Sequence, residues 1–257
     1  VTVALVRRPS PRLAEGLVTH VERVPVDVGR ALSQWDGYVD VLRSVGWRVV
    51  EVPAHDDCPD SVFVEDTVVV HGDLAVVTHP GNDARVPETE EVEPVVRNLG
   101  LRTVRIAPPG RLDGGDVLKV GGTVYVGLGT RTNRSGIEQL AAHVGPLGST
   151  VVVVPVTRAL HLKSAVTALP DGTVIGWDPV VEDPRVFPAY RSMPEEQGAH
   201  VVVVDERRLI VSAAAPRSIE LLASLGYEPI AVDIGEFEKL EGCVTCLSVR
   251  IRRVAAG

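Results

Sequence analysis

The feature that most limits what this chain can fold into is a repeated order of elements, visible as pattern rather than as identity. Near Asp60 a valine-rich run (SVFVEDTVVV) leads through the turn HGD into a second run (LAVVTH), an amphipathic stretch and a third run (RTVRIA). Short β-branched runs bounded by polar and turn residues read as strands. The order restarts near Asp113 with DVLKV, the turn GGT, VYVGL, a helix and VVVVPV. It restarts again near His161 with SAVTAL, the turn PDGT, VIGWD, a less regular helical region and HVVVVDE. A shorter fourth unit holds RRLIVSA, a helix and EPIAVDI, and a fifth begins at Cys243 with VTCLSVRI. The N-terminal VTVALVR, the first helix and WRVVEVPA complete that fifth unit. Strand–strand–helix–strand units recur at about 45–50 residues, and five of them closing in a ring would make an α/β propeller. Closing such a ring removes the free edges that an ordinary open α/β sheet, the alternative, would leave.

The element boundaries follow from the same pattern. Strands are expected at Val49–Val52, Val68–Val70, Val151–Val154 and Val201–Val204, and helices at Gly29–Val45, Thr89–Asn98, Thr132–Val144 and Pro216–Leu225. Gly226 is placed to take the left-handed position after the last helix. No Gly- or Pro-rich linker divides the chain, so residues 1–257 are read as a single domain. That length suffices for a large core, and 45% hydrophobic residues argue against disorder.

Charge and cysteine usage narrow the function. The net charge of -8 supplies no global basic field for nucleic acid and suits a cationic ligand better. No apolar run reaches membrane-spanning length, and the opening VTVALVRRPS reads as a strand followed by charges rather than a signal peptide. Three cysteines (Cys58, Cys243 and Cys246) fit a reducing cytoplasm. Cys243 and Cys246 form a single C-x-x-C without a second pair, and no H-E-x-x-H spacing occurs, so neither a metal nor another cofactor is expected.

Chemistry-bearing residues gather at the heads of the units. Asp60, Glu65 and Asp66 open the first, Asp113 and Asp116 the second, His161 the third and Cys246 the fifth. In a ring of repeats these positions converge on one pocket. VFVEDTVVV also sets two adjacent acids in an apolar run, so that one of them faces inward if the run is a continuous strand. A buried carboxylate needs a partner, which a cationic ligand, an internal arginine or a backbone amide would supply.

DSVFVED (Asp60–Asp66), PGNDAR (Pro80–Arg85), LDGGD (Leu112–Asp116), RTN (Arg131–Asn133), HLKS (His161–Ser164) and TCLS (Thr245–Ser248) occur in this order across nearly the whole chain. In these motifs the chain resembles the dimethylarginine dimethylaminohydrolase family of the pentein, or guanidino-group-modifying, superfamily. The resemblance implies the five-unit propeller and hydrolysis of Nω-methylated arginine to citrulline and an amine. It implies Cys246 as a nucleophile that forms a covalent thiouronium, His161 as acid and base, and Asp113 as the carboxylate orienting it, with Asp116 the rival for that role. It further implies Asp66 as the guanidinium contact, Asp60 and Glu65 as substrate-binding or supporting acids, Arg85 and Arg131 as the grip on the substrate's α-carboxylate, and Leu17 and Leu240 as pocket wall. Cys243 is left as a structural residue.

Two related readings stay open. Arginine deiminases and amidinotransferases carry an acid two residues after the histidine, where this chain has Lys163, and the chain is shorter than a typical arginine deiminase. Both features favour a methylated substrate over a plain guanidine, the deiminase alternative. A non-catalytic pentein-fold binding protein is the reading from another class, and it predicts loss of the cysteine–histidine–acid set. The sequence is compatible with a homo-oligomer without setting the number of copies. Arg7–Val28, rich in Pro and Gly, is expected to form a mobile flap.

Overall fold

A computed structural model of the protein describes residues 2–252. Its strands form five three-stranded sheets, each with one antiparallel pair followed by one parallel pair. The fifteen strands are β1 (Val3–Val6), β2 (Arg48–Glu51), β3 (Val68–His71), β4 (Leu74–Val77), β5 (Arg102–Arg105), β6 (Val117–Val120), β7 (Thr123–Leu128), β8 (Thr150–Pro155), β9 (Val166–Ala168), β10 (Val174–Gly176), β11 (Tyr190–Ser192), β12 (Val201–Val203), β13 (Arg208–Ser212), β14 (Glu228–Val232) and β15 (Val249–Ile251). Four sheets are consecutive in sequence: β3-β4-β5, β6-β7-β8, β9-β10-β11 and β12-β13-β14. The fifth joins the two ends of the chain: β15 pairs antiparallel with β1 (Val3 opposite Ile251), and β1 pairs parallel with β2.

The helices are α1 (Val28–Ser44), α2 (Val92–Asn98), α3 (Arg134–Val144), α4 (Pro216–Ser224) and α5 (Gly235–Glu238). Four fall where the hydrophobic period put them. In α1, Asp27 caps the N-terminus by accepting from the Arg30 amide, and Ala31, Trp35, Tyr38, Val39 and Leu42 form the buried stripe. Gly46 follows at φ +87°, the left-handed residue that ends the helix, and Gly226 does the same after α4 at φ +92°. The buried apolar residues form five clusters, each joining two successive sheets. One of them closes the sequence by joining Val3, Leu5 and Val249 of the fifth sheet to Val68, Val70 and Val77 of the first.

Two expectations are corrected. The run HVVVVDE does not end the third unit; Val201–Val203 pairs antiparallel with β13 and opens the fourth, which is therefore a full three-stranded unit. The third unit ends instead with β11, paired parallel to β10. Pro179, Pro184 and Pro188 explain the miss. They break the crossover into 3₁₀ turns at Asp178–Val180 and Pro184–Val186, and the strand that follows has only a half-buried tyrosine and two exposed polar residues. The second correction concerns SVFVEDTVVV, which is not one strand: Val64–Thr67 form a 3₁₀ turn and the strand starts at Val68.

Candidate active site

The local design repeats: a short turn, then the first strand of a sheet. The turns are Val64–Thr67 before β3, Gly114–Asp116 before β6, Leu162–Ser164 before β9 and Gln197–Ala199 before β12. A fifth, closed by the Cys246 amide on the Cys243 carbonyl at 3.0 Å, precedes β15. All five turns carry acidic, imidazole or thiol groups in or beside them; Gln197–Ala199 is flanked by Glu196 and by His200, whose Nε2 lies 2.9 Å from the Ser164 carbonyl oxygen. The LDGGD glycines let neighbouring turns touch. A Cβ on Gly114 would lie 2.0 Å from the Glu65 carbonyl oxygen, and one on Gly115 within 2.7 Å of both Asp66 and His161. Gly81 of PGNDAR is equally confined, with the Arg131 main chain 2.3 Å from where its Cβ would be.

The acids around His161 separate by direction. Asp113 Oδ2 lies 2.9 Å from His161 Nε2, while its Oδ1 accepts from the Gly81 amide at 2.8 Å. Asp116 does not reach the ring; it accepts from the Leu162 amide at 2.9 Å and the Thr132 hydroxyl at 2.6 Å, and so holds the turn that carries the histidine. Asp66 accepts from the Gly115 amide at 2.9 Å and Arg85 Nη1 at 2.6 Å, and its Oδ1 stands 3.9 Å from His161 Nδ1. Burial disfavours imidazolium, but Asp66, the Asp113 hydrogen bond and Asp116 outweigh it and raise the His161 pKa to about 9. Burial likewise opposes ionisation of Asp66, yet His161 and Arg85 bring its pKa down to about 2. Asp116 goes the other way: burial lifts it to about 6 against the pull of His161 and the Thr132 hydroxyl. Asp66, Asp113 and His161 present potential ligand atoms within 4.8 Å of one another, but these atoms are engaged with each other, Arg85 and backbone amides.

These residues face a small pocket of about 20 Å³, lined by Leu17, Asp60, Phe63, Asp66, Arg85, Arg131, Leu160, His161, Leu240, Glu241, Gly242 and Cys246. The structure therefore brings together Leu17, Asp60, Asp66, Arg85, Arg131, His161, Leu240 and Cys246. Asp113 stands behind the histidine. Glu65 does not line the pocket: its Oε1 accepts from Lys163 Nζ at 2.6 Å and Arg250 Nη2 at 2.8 Å. The 3₁₀ turn thus points the two adjacent acids to different sides, and Glu65 Oε2 keeps no hydrogen-bond partner among the described residues.

The two arginines differ. Arg85 is buried, with its donors spent on Glu88, Asp66 and the carbonyls of Asp60 and Phe63. Among the described residues the Arg131 side chain makes one hydrogen bond, from Nη2 to the Thr19 hydroxyl at 3.4 Å. The N-terminal segment covers the pocket through two carboxylates. Asp60 accepts from the Leu17 amide with both oxygens at 3.1 Å, and Glu241 accepts from the Thr19 and His20 amides at 2.5 and 2.8 Å. Glu241 holds φ +60°, a left-handed conformation that a residue with a Cβ rarely takes. Sequence reading missed Glu241, whose one signal is the turn-forming dipeptide Glu241–Gly242. It also missed Glu88, which the i, i+3 spacing from Arg85 could have flagged.

At the fifth turn, Cys246 Sγ lies 3.2 Å from Cys243 Sγ, and neither sulfur is in a disulfide. Cys243 is therefore more than a filler, because it shares a hydrogen bond with the pocket thiol. That bond, burial and the charges of Glu65 and Asp66 hold the Cys246 pKa above the ordinary thiol range.

A thiol, a charged histidine backed by an acid, and carboxylates lining one covered pocket define a class of protein that works on a cationic carbon centre. Comparisons with known proteins agree. The family model described as arginine deiminase matches residues 54–215. A dimethylarginine dimethylaminohydrolase of Streptomyces coelicolor is 61% identical over 98% of this chain and 97% of its own length, and one of Pseudomonas aeruginosa is 34% identical over 96% and 98%. The solved structure of a cysteine-to-serine mutant of the Pseudomonas aeruginosa enzyme, complexed with citrulline, superposes with a TM-score of 0.90 at 33% identity, covering 97% of this chain and 98% of that one. The chain belongs to the dimethylarginine dimethylaminohydrolase family.

Proposed function

We propose that the protein hydrolyses asymmetric dimethylarginine and monomethylarginine to citrulline and dimethylamine or methylamine. The observation that carries this reading is the single covered pocket joining Cys246, His161, Asp66 and Arg131. Asp66, ionised down to about pH 2, receives the guanidinium N–H groups. Arg131, with most of its donors unengaged among the described residues, takes the α-carboxylate at the other end.

A bound guanidinium offsets the carboxylates that keep Cys246 protonated, so substrate itself promotes loss of the thiol proton to solvent. The thiolate attacks the guanidinium carbon. His161, cationic with its Nε2 held by Asp113, gives a proton from Nδ1 to the departing amine as the C–N bond breaks, leaving a thiouronium on Cys246. Now neutral, His161 takes a proton from water, which adds to the same carbon and expels the thiolate; loss of the remaining hydroxyl proton to solvent leaves citrulline. Asp113 serves as the orienting carboxylate and Asp116 as the brace of the histidine turn. Glu65 supports the site from outside the pocket.

The frame for this chemistry is a five-unit pseudosymmetric α/β propeller of the pentein kind, in a single domain over residues 1–257. Five core clusters linking the sheets in turn support this reading. So does one cavity lined by the first strands of all five sheets. Free cysteines support a cytoplasmic setting, and among the described residues no helix is long and apolar enough to cross a membrane.

Separate incubations with asymmetric dimethylarginine, monomethylarginine and arginine, quantifying citrulline and amine, test the function. Citrulline with dimethylamine from the first, little turnover of arginine, and no turnover by a folded Cys246→Ser variant are expected. Faster ammonia release from arginine would make the protein a deiminase, and citrulline from none of the three would remove the reading.

A further inference from the structure

A large cavity lies outside the pocket that holds Cys246. It has a volume of about 440 Å³ and is lined by β3, β6, β9, β12 and β15, the first strand of every sheet. Lys119, Lys163, Arg250 and Arg252 line it, against one acid, Glu65. Four cations facing one carboxylate leave three uncompensated positive charges, in a protein whose net charge is -8. Lysine is also scarce: the chain has three, Lys119, Lys163 and Lys239, and two of them are here.

Donors remain for a ligand. An ammonium has three N–H groups. Among the described residues Lys163 gives one to Glu65, and Lys119 gives one to the Val70 carbonyl. Among the described residues Arg252 donates from one nitrogen to the Val203 carbonyl. Lys119 is open to the cavity yet surrounded by protein, and burial, followed by Lys163 and Arg250, lowers its pKa to about 8. Like charges gathered in a confined space destabilise one another unless an anion joins them.

We propose that this cavity is a binding site for a phosphate-type oxyanion, held by Lys119, Lys163, Arg250 and Arg252. A dianion balances most of the excess charge, and tetrahedral oxygens accept from donors arriving from different strands. The site is separate from the thiol pocket and stands whether or not the proposed reaction is correct. The two share one boundary: Glu65, which holds Lys163 and Arg250, precedes Asp66 of the pocket in the same turn.

Calorimetric titration of the whole protein with inorganic phosphate, at ionic strength fixed with chloride, tests the proposal. One phosphate per chain is expected. Lys119→Met and Arg252→Gln should each weaken it at least tenfold, while Arg131→Ala leaves it unchanged. Both cavity variants remove a repelling charge and should keep the melting temperature of the parent. A parallel titration with glycerol 3-phosphate identifies whether the free ion or a phosphate ester is preferred; saturable binding of either, lost in the cavity variants, supports the site. Absence of saturable binding, equal binding in parent and cavity variants, or loss of binding in Arg131→Ala alone would each overturn it.

Discussion

Arg85 and Arg131 carry the same expectation from their motifs and meet different surroundings. The Arg85 guanidinium is enclosed by Glu88, Asp66 and main-chain carbonyls, so its removal strands two buried acids. Breaking a buried pair in this way costs about 3–5 kcal/mol, and Arg85→Ala should show that loss in denaturant unfolding together with lost activity. Arg131→Ala should unfold like the parent and raise KM by roughly tenfold or more, since a charged hydrogen bond contributes about 1.5–3 kcal/mol. Equal effects of the two substitutions on stability would contradict the division. His161 adds a pH signature. Its folded pKa of about 9 lies above the ordinary value of 6.5, so its contribution to stability is complete below about pH 6.5 and disappears as pH rises through 9. The stability gap between the parent and His161→Gln should shrink across that window by about 3 kcal/mol; a gap independent of pH would remove the charged histidine. The motifs made Cys246, His161 and the acids legible. Asp113 and Asp116, three residues apart on one turn, were not separable, because only side-chain direction tells which reaches the imidazole.

At the scale of elements, the sequence was most readable where valine runs met short turns, and least readable where prolines interrupted the pattern. β12 was visible as a strand but assigned to the wrong sheet, since β11, with its exposed Arg191 and Ser192, gave no competing signal. The turn at Val64–Thr67 escaped because an apolar run with two acids has the composition of a strand, and its contacts with Gly114 and Gly115 lie about fifty residues away along the chain. The covering segment belongs to the same category. Its backbone hangs on Asp60 and Glu241, and no local periodicity reports a contact between residues 19 and 241. Glu241→Ala should free Thr19 and His20 and raise KM severalfold. It should also speed proteolysis within residues 16–24; unchanged cleavage there would mean that Glu241 does not secure the cover.

For the whole molecule, five successive clusters and one shared cavity make neighbouring sheets depend on each other. The repeat order carried this level, because five copies of one topology leave few arrangements without an open edge. If the ring is closed, the position of the chain ends is not essential to it. A circular permutant of residues 1–257 that joins the first and last residues through a flexible linker and opens the exposed turn between Glu206 and Arg207 should fold with parental cooperativity and keep its activity. A permutant that folds only in part would show that the order of assembly matters more than closure.

The pairing of β1 with β15 has a consequence in time. β1 is the central strand of its sheet, and one of its two partners is translated roughly 240 residues later. Throughout synthesis the apolar run Val3–Val6 keeps one edge unmatched, a template for the wrong neighbour. The segment that finally covers it follows Cys246 by three residues. Cys246, the proposed nucleophile, and the missing strand thus leave the ribosome almost together, so a nascent chain acquires that sulfur only as it becomes able to shield itself.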